Sequence, residues 1–279
     1  MIKIFLFLII CINIYAYDIN EIRKDFFYSV VSKQLLQSKD TKELEKRKLK
    51  RKRQSLLWEE DIKRYKRLIF SKINKNKIKN DEYFSVVNLK KQIYTILLYV
   101  KKEDKLYLIG SDLISSGNKN KEVEVKYGDD HYFDTPTGLY EVKKGWRSKG
   151  KYKDINKTVQ SFGKKDRFIF YIGKMTKQRY NSFNHGVKIK NQKNYNLIND
   201  TLNFAMHSYN TKNKNFKFGK KESHGCVRMS DELNQFLDKN LVLHKNFFNN
   251  NKWKLKNSKK PKDIKNLRLK GAYILIIDK

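Results

Sequence analysis

The chain has 279 residues, 39% of them hydrophobic and 13% aromatic, enough to bury a sizeable core in one large domain or one domain plus a smaller module. That excludes a chain disordered throughout, although 33% of its residues are charged. With 63 Lys and Arg against 29 Asp and Glu, the formal net charge is +34, a field that favours polyanions without saying which.

At the N-terminus Lys3 precedes an apolar run from Ile4 to Ile14, and Tyr15-Ala16 leads into polar Tyr17-Asp18. A basic start, about ten apolar residues and a small residue at the end predict a secretory signal, residues 1–16, cut after Ala16. The run is shorter than the roughly 20 residues of a membrane span, though an uncleaved anchor shares the pattern. Cys11 lies inside the run behind bulky Ile10, a poor place for lipid attachment. The expectation is secretion across the inner membrane into the periplasm or cell wall. Export then leaves one thiol, Cys226, and no intramolecular disulfide; that thiol is either a buried bystander or a reagent.

Residues 17–89 read as a charged helical region: Ile22, Phe26 and Val30, then Tyr65, Leu68 and Ile69, fall near helical spacing. The basic run Lys46–Arg53 between them suits a solvated face, or contact with anionic envelope polymer or membrane. From residue 90 to 279 strands dominate. Ile93–Val100 and Leu106–Ile109 flank a polar turn and predict a hairpin. Further strands are expected at Lys121–Tyr127, Gly138–Lys143, Phe168–Ile172, Leu202–His207 and Tyr273–Ile277. Ser230 is placed to cap a helix with Asp231 and Glu232 in its first turn and Leu233, Phe236, Leu237 and Leu241 as its apolar stripe.

The strongest local signal is Ser223-His224-Gly225-Cys226-Val227-Arg228. Gly225 frees the backbone for a tight turn, and a capped helix starts soon after. A thiol in such a turn can meet backbone N–H groups able to hold an oxyanion, and a nearby imidazole would supply a base and favour the thiolate. A second site, His207-Ser208, ends the apolar strand Leu202–Met206. Each alone is ambiguous, because free cysteines are often buried and lone histidines are often structural.

Together they resemble the signature of the L,D-transpeptidases: His207, a spacer of fifteen residues, then Ser223-His224-Gly225-Cys226. Asp134–Val142 resembles that family's Thr-Pro-Thr-Gly stretch, and the likeness covers roughly residues 91–279. It implies an α+β fold with a mainly β catalytic domain, a mixed β-sandwich with short helices, preceded by the charged α-helical region. It also implies Cys226 as nucleophile, His207 as base, and Ser208 orienting the imidazole through its carbonyl. His224 and Gly225 belong to the oxyanion turn, and Ser223 and Arg228 to substrate binding, Arg228 pairing with a carboxylate. The implied partners are peptidoglycan stem peptides, with transfer to an amine or, as an L,D-carboxypeptidase, to water. No cofactor or metal is expected, since no His or Cys cluster has ligand spacing.

Thr135, Pro136, Thr137 and Gly138 read as structural. His185-Gly186 is a competing pair, but it lies too far before Ser223 for the signature. The stretch between Gly138 and His207 is long, with basic Lys143–Lys165 and polar Lys174–Asp200, and reads as a lid loop or a surface insertion. No nucleic-acid motif is present, and the abundance of Lys beside Asn, Ile, Phe and Tyr reads as compositional bias as much as a partner's footprint. A non-catalytic envelope-binding protein is the competing class.

Overall fold

The computed structural model describes residues 18–34, 58–78, 80–120, 132–154, 157–160, 162–181, 183–184, 187–188, 196–209 and 218–279. The expected signal, the basic run Lys46–Arg53, the strand expected at 121–127 and the His185-Gly186 pair lie outside them.

Helix α1 (Ile19–Phe26) starts behind Asp18, whose carboxylate accepts from the Asn20 and Glu21 N–H groups, and it continues as a π-helical turn, Phe27–Ser32. Helix α2 is Trp58–Phe70. The strands that follow are β1 (Glu82–Asn88), β2 (Ile93–Val100), β3 (Lys105–Gly117), β4 (Gly138–Glu141), β5 (Lys144–Arg147), β6 (Lys151–Asp154) and β7 (Lys157–Gln160). Next come β8 (Phe168–Asn181), β9 (Phe183–Asn184), β10 (Val187–Lys188), β11 (Asn196–Ser208), β12 (Lys221–Ser223) and β13 (Val227–Met229). Helix α3 (Asp231–Lys239), β14 (Phe248–Asn249), β15 (Lys252–Trp253) and β16 (Lys270–Ile277) complete the order.

The protein is mainly β with few short helices, as expected. Ten of its strands join in one sheet ordered β4-β16-β1-β2-β3-β13-β11-β8-β5, with β12 beside β3, and β6-β7, β9-β10 and β14-β15 pair separately. The hairpin of β2 and β3 forms as anticipated, Val100 opposite Lys105. Ser230 caps α3, its hydroxyl accepting from Leu233 N–H at 3.1 Å. No described helix is long and apolar enough to cross a membrane.

Two stretches differ from expectation. Glu82–Asn88, placed above in the helical region, is strand β1, parallel to β16 and antiparallel to β2. Its aromatic and β-branched residues are buried on both faces, and that demand outweighs the charged context around it. Lys174–Asp200 is not simply a loop. Its two ends extend β8 and β11 into a long antiparallel arm from Asn181↔Asn196 inward. The arm's period-2 pattern is mostly polar on both faces, so it gives little sequence signal. An Arg179–Asp200 ion pair at 2.6 Å ties its strands together, the Arg179 side chain 10% exposed.

The sheet buries apolar side chains on both faces. One face carries Tyr94, Ile96 and Leu98 of β2 and Phe204 and Met206 of β11, and closes against Phe26, Val30, Leu233, Phe236 and Leu237 from the helices. Phe26 meets Phe236 edge-on at 5.1 Å. On the opposite face of β1 and β2, Phe84, Val86, Leu97 and Tyr99 take Tyr65 and Ile69 of α2. Among the described residues, the opposite face further along the sheet carries no helix stripe in its apolar cluster. There Ile169, Ala205 and Cys226 form a small separate cluster with Trp146, Phe162 and Tyr171.

Candidate active site

Strands β11 and β13 run parallel, pairing Met206 with Val227, His207 with Arg228 and Ser208 with Met229. Met206, Val227 and Met229 point into the main core, so strand alternation turns His207 and Arg228 to the other face. Ala205, two residues before His207, packs there with Cys226, two residues before Arg228. The expected nucleophile and base therefore share one face of neighbouring chain segments. A strand spacing of about 4.8 Å and a rise of about 3.3 Å per residue put their α-carbons on the order of 8 Å apart.

The turn before Cys226 is built from inside. Gly225 has φ +124°, where an L side chain is strained, and a Cβ there would lie 2.8 Å from Leu202 Cδ2. Ser223 is fully buried; its hydroxyl accepts from Gly225 N–H at 3.1 Å and donates to the Cys226 carbonyl at 2.5 Å. The hydroxyl of Ser223, expected at substrate, is spent on the turn in this structure. It also means that Gly225 N–H already has an acceptor in this state. Thr135 behaves as the structural residue anticipated: its hydroxyl accepts from Gly117 N–H at 2.8 Å and donates to the Gly225 carbonyl at 2.7 Å, joining the end of β3 to the turn.

His207 and Cys226 are each 7% exposed. The imidazole Nδ1 lies 2.9 Å from the Ser208 carbonyl. A carbonyl only accepts, so Nδ1 carries the proton and the Nε2 lone pair is the ring's acceptor. Burial pushes His207 down to about 4, with Arg228 adding to the fall and the Ser208 hydrogen bond opposing it. Burial likewise pushes the Cys226 thiol up to about 11, against smaller opposing effects from the Ala205 backbone and Arg228. The resting pair is thus neutral thiol and neutral imidazole. Burial thus works against the thiolate that a neighbouring imidazole is expected to favour. The thiol donates to the Asn203 carbonyl at 3.6 Å.

Arg228 is engaged by the turn itself. Its Nη1 donates to the Glu222 carbonyl at 3.3 Å, its Nη2 to His224 Nδ1 at 3.1 Å, and its guanidinium stands 5.2 Å over the Tyr209 ring. Since guanidinium only donates, the proton of neutral His224 is on Nε2. The His224 ring also lies 4.1 Å from that of Tyr132.

Sequence reasoning missed the site's aromatic surround. Trp146 lies 5.6 Å from Tyr171 and 6.4 Å from Phe162, and Phe162 lies 5.4 Å from the His207 ring. The one available signal was an apolar Phe-Gly pair inside the Lys-rich segment 143–165. Among the described residues, no group of three or more His, Cys, Asp or Glu could hold a metal.

Fold and site together define a mainly β protein with a cysteine and a histidine on one face of its sheet. The chain belongs to the YkuD family of L,D-transpeptidase catalytic domains, whose sequence profile matches residues 82–242. A search of curated proteins matched none of them. Among solved structures, the chain is similar to Bd1075 of Bdellovibrio bacteriovorus, at 13% identity and a TM-score of 0.33, covering 70% of this chain and 47% of that one. It is also similar to the helical cell shape determining protein Pgp2 of Campylobacter jejuni, at 12% identity and a TM-score of 0.33, covering 72% of this chain and 49% of that one. The chain thus spans about half the length of each.

Proposed function

We propose that this chain is an exported cysteine L,D-transpeptidase that remodels peptidoglycan in the periplasm or cell wall, in the service of wall biogenesis and cell shape. The observation that carries the reading is the Ser208 carbonyl 2.9 Å from His207 Nδ1, which leaves Nε2 as proton acceptor on the sheet face that holds Cys226.

On this reading the Cys226 S–H leaves the Asn203 carbonyl and gives its proton to His207 Nε2 as sulfur attacks the third-residue carbonyl of a tetrapeptide stem. A neutral pair at rest makes proton transfer part of the attack. The oxyanion draws on amides of the 224–226 turn, with Gly225 N–H exchanging the Ser223 hydroxyl for it. Collapse breaks the peptide bond, and the imidazolium protonates the departing D-Ala amine. An amine of a second stem then attacks the thioester, loses a proton to His207 and frees the thiol, leaving a 3–3 cross-link. The thiol's low exposure and its aromatic surround favour an amine acceptor over water, because apolar walls discourage solvent. Arg228, fixed by Glu222 and His224, supplies a positive field for a stem carboxylate.

The test is mass spectrometry of purified tetrapeptide muropeptides incubated with the full chain. Cross-linked dimers with D-Ala release, abolished in Cys226→Ala, are expected. Tripeptides without dimers would mean hydrolysis, and D-Ala release by Cys226→Ala would remove the thiol from the reaction.

A further inference from the structure

The loop between β7 and β8 returns over the end of β11, and three successive residues in it touch His207 or Ser208. Phe162 lays its ring 5.4 Å from the imidazole, with 57° between the planes. Gly163, at φ +68°, approaches so closely that a Cβ there would lie 2.3 Å from the Ser208 carbonyl oxygen and 3.1 Å from His207 Nδ1. Lys164 N–H donates to the Ser208 hydroxyl at 3.2 Å. Only glycine tolerates both that backbone angle and that approach.

The other end of the loop is anchored by charge. The Arg167 guanidinium grips both oxygens of Asp231, Nε on one and Nη2 on the other at 2.9 Å, and Lys164 Nζ reaches the same carboxylate at 2.9 Å. Burial works against the Asp231 carboxylate, yet Arg167 and Lys164 outweigh it and hold its pKa below the usual range. The pair is mostly shielded, with 25% of the Arg167 side chain and 15% of that of Asp231 exposed. Asp231 opens α3, so the fork ties the loop to the rigid start of a capped helix. Ser148 braces the middle, accepting Asp166 N–H through its carbonyl at 2.9 Å and donating its N–H to the Arg167 carbonyl at 2.9 Å.

We propose that Phe162–Arg167 is a positioning element for His207, with the Arg167–Asp231 fork as its anchor: it sets the plane of the imidazole and keeps water from the Ser208 carbonyl that selects its tautomer. This rests on the proposed role of His207 as base. These residues act on the chemistry through the ring, by contacts to His207 and Ser208. Among the described residues, the charged and titratable groups on the elements packed against His207 include Arg228 from β13, Cys226 and His224 from the turn, Lys164, Lys165, Asp166 and Arg167 from the loop, and Asp231 from α3, where the loop is anchored. Arg228 is the charged group that acts on its titration, and it acts together with burial, so loosening the loop admits water and moves His207 from about 4 toward its ordinary 6.5.

Two readouts in the full chain test this. In a Cys226→Ala background, where no turnover is needed, the His207 ring proton is followed by NMR against pH. Arg167→Ala should raise its midpoint by at least one pH unit, and Arg167→Lys should restore part of the shift. With Cys226 present, Arg167→Ala should lower kcat about tenfold, leave KM within twofold, and carry the acidic limb of kcat/KM upward by the same interval. Gly163→Ala perturbs the same contact from its other end and should act in the same direction. A folded Arg167→Ala or Gly163→Ala chain with an unmoved His207 midpoint overturns the proposal. If the unaltered chain fails to act on stems, the proposed reaction falls while the NMR arm still decides positioning.

Discussion

A neutral thiol beside a neutral imidazole makes a quantitative demand on the chemistry of Cys226. Alkylation by iodoacetamide proceeds through the thiolate, so its rate reports the thiolate fraction. With the thiol raised from 9.0 to about 11, the thiolate fraction near pH 8 falls from about 0.1 to about 0.001. The folded chain should therefore be alkylated about 100-fold more slowly than its urea-unfolded form at pH 8, before any loss from restricted access. The rate should keep rising with pH up to about 11 rather than reaching a plateau near neutrality. His207→Gln should change the rate at pH 8 little, because no imidazolium is present there to hold a thiolate. Pseudo-first-order alkylation across the pH range, read by intact mass, provides the measurement. A plateau centred below pH 7 that disappears in His207→Gln would show a preformed ion pair and refute the argument from desolvation.

Acid stability offers a second check. His207 is depressed from 6.5 to about 4 in the folded chain, so its contribution is fully present above pH 6.5 and is lost as pH falls toward 4. That loss is about 3 kcal/mol, and His207→Gln should show a shallower decline by that amount in urea unfolding at pH 4 and pH 7; parallel declines would contradict it. Buried His244 is also depressed, but it is common to both chains and cancels. Ser223→Ala strips the turn of the hydroxyl serving Gly225 N–H and the Cys226 carbonyl, which should cost about 1–3 kcal/mol. In assays on stems its kcat should fall with KM nearly unchanged; a raised KM alone would return Ser223 to substrate binding.

Much of the fold was legible because its signals are local. The β2–β3 hairpin follows from two apolar runs around a polar turn, and α3 from Ser230 and the stripe behind it. The Gly225 turn and the His207 strand end could likewise be read from neighbouring residues. Strand β1 escaped because its partner β16 lies at the far end of the chain, and burial on both faces is a property of the assembled sheet. The polar arm of β8 and β11 escaped because a ribbon with little apolar contrast carries almost no periodic signature.

For the site, residue type and spacing determined by themselves which thiol and which imidazole to consider, since Cys226 and His207 are the pair whose separation matches the family signature. Tertiary structure alone decided their state. Register between β11 and β13 set them on one face, and low exposure favours the neutral form of each. Folding also turned Ser223 inward and laid the Phe162–Arg167 loop against the ring through an anchor at Asp231. Desolvation and contacts between segments distant in sequence exist only once the chain has closed on itself, which is why no local pattern encodes them.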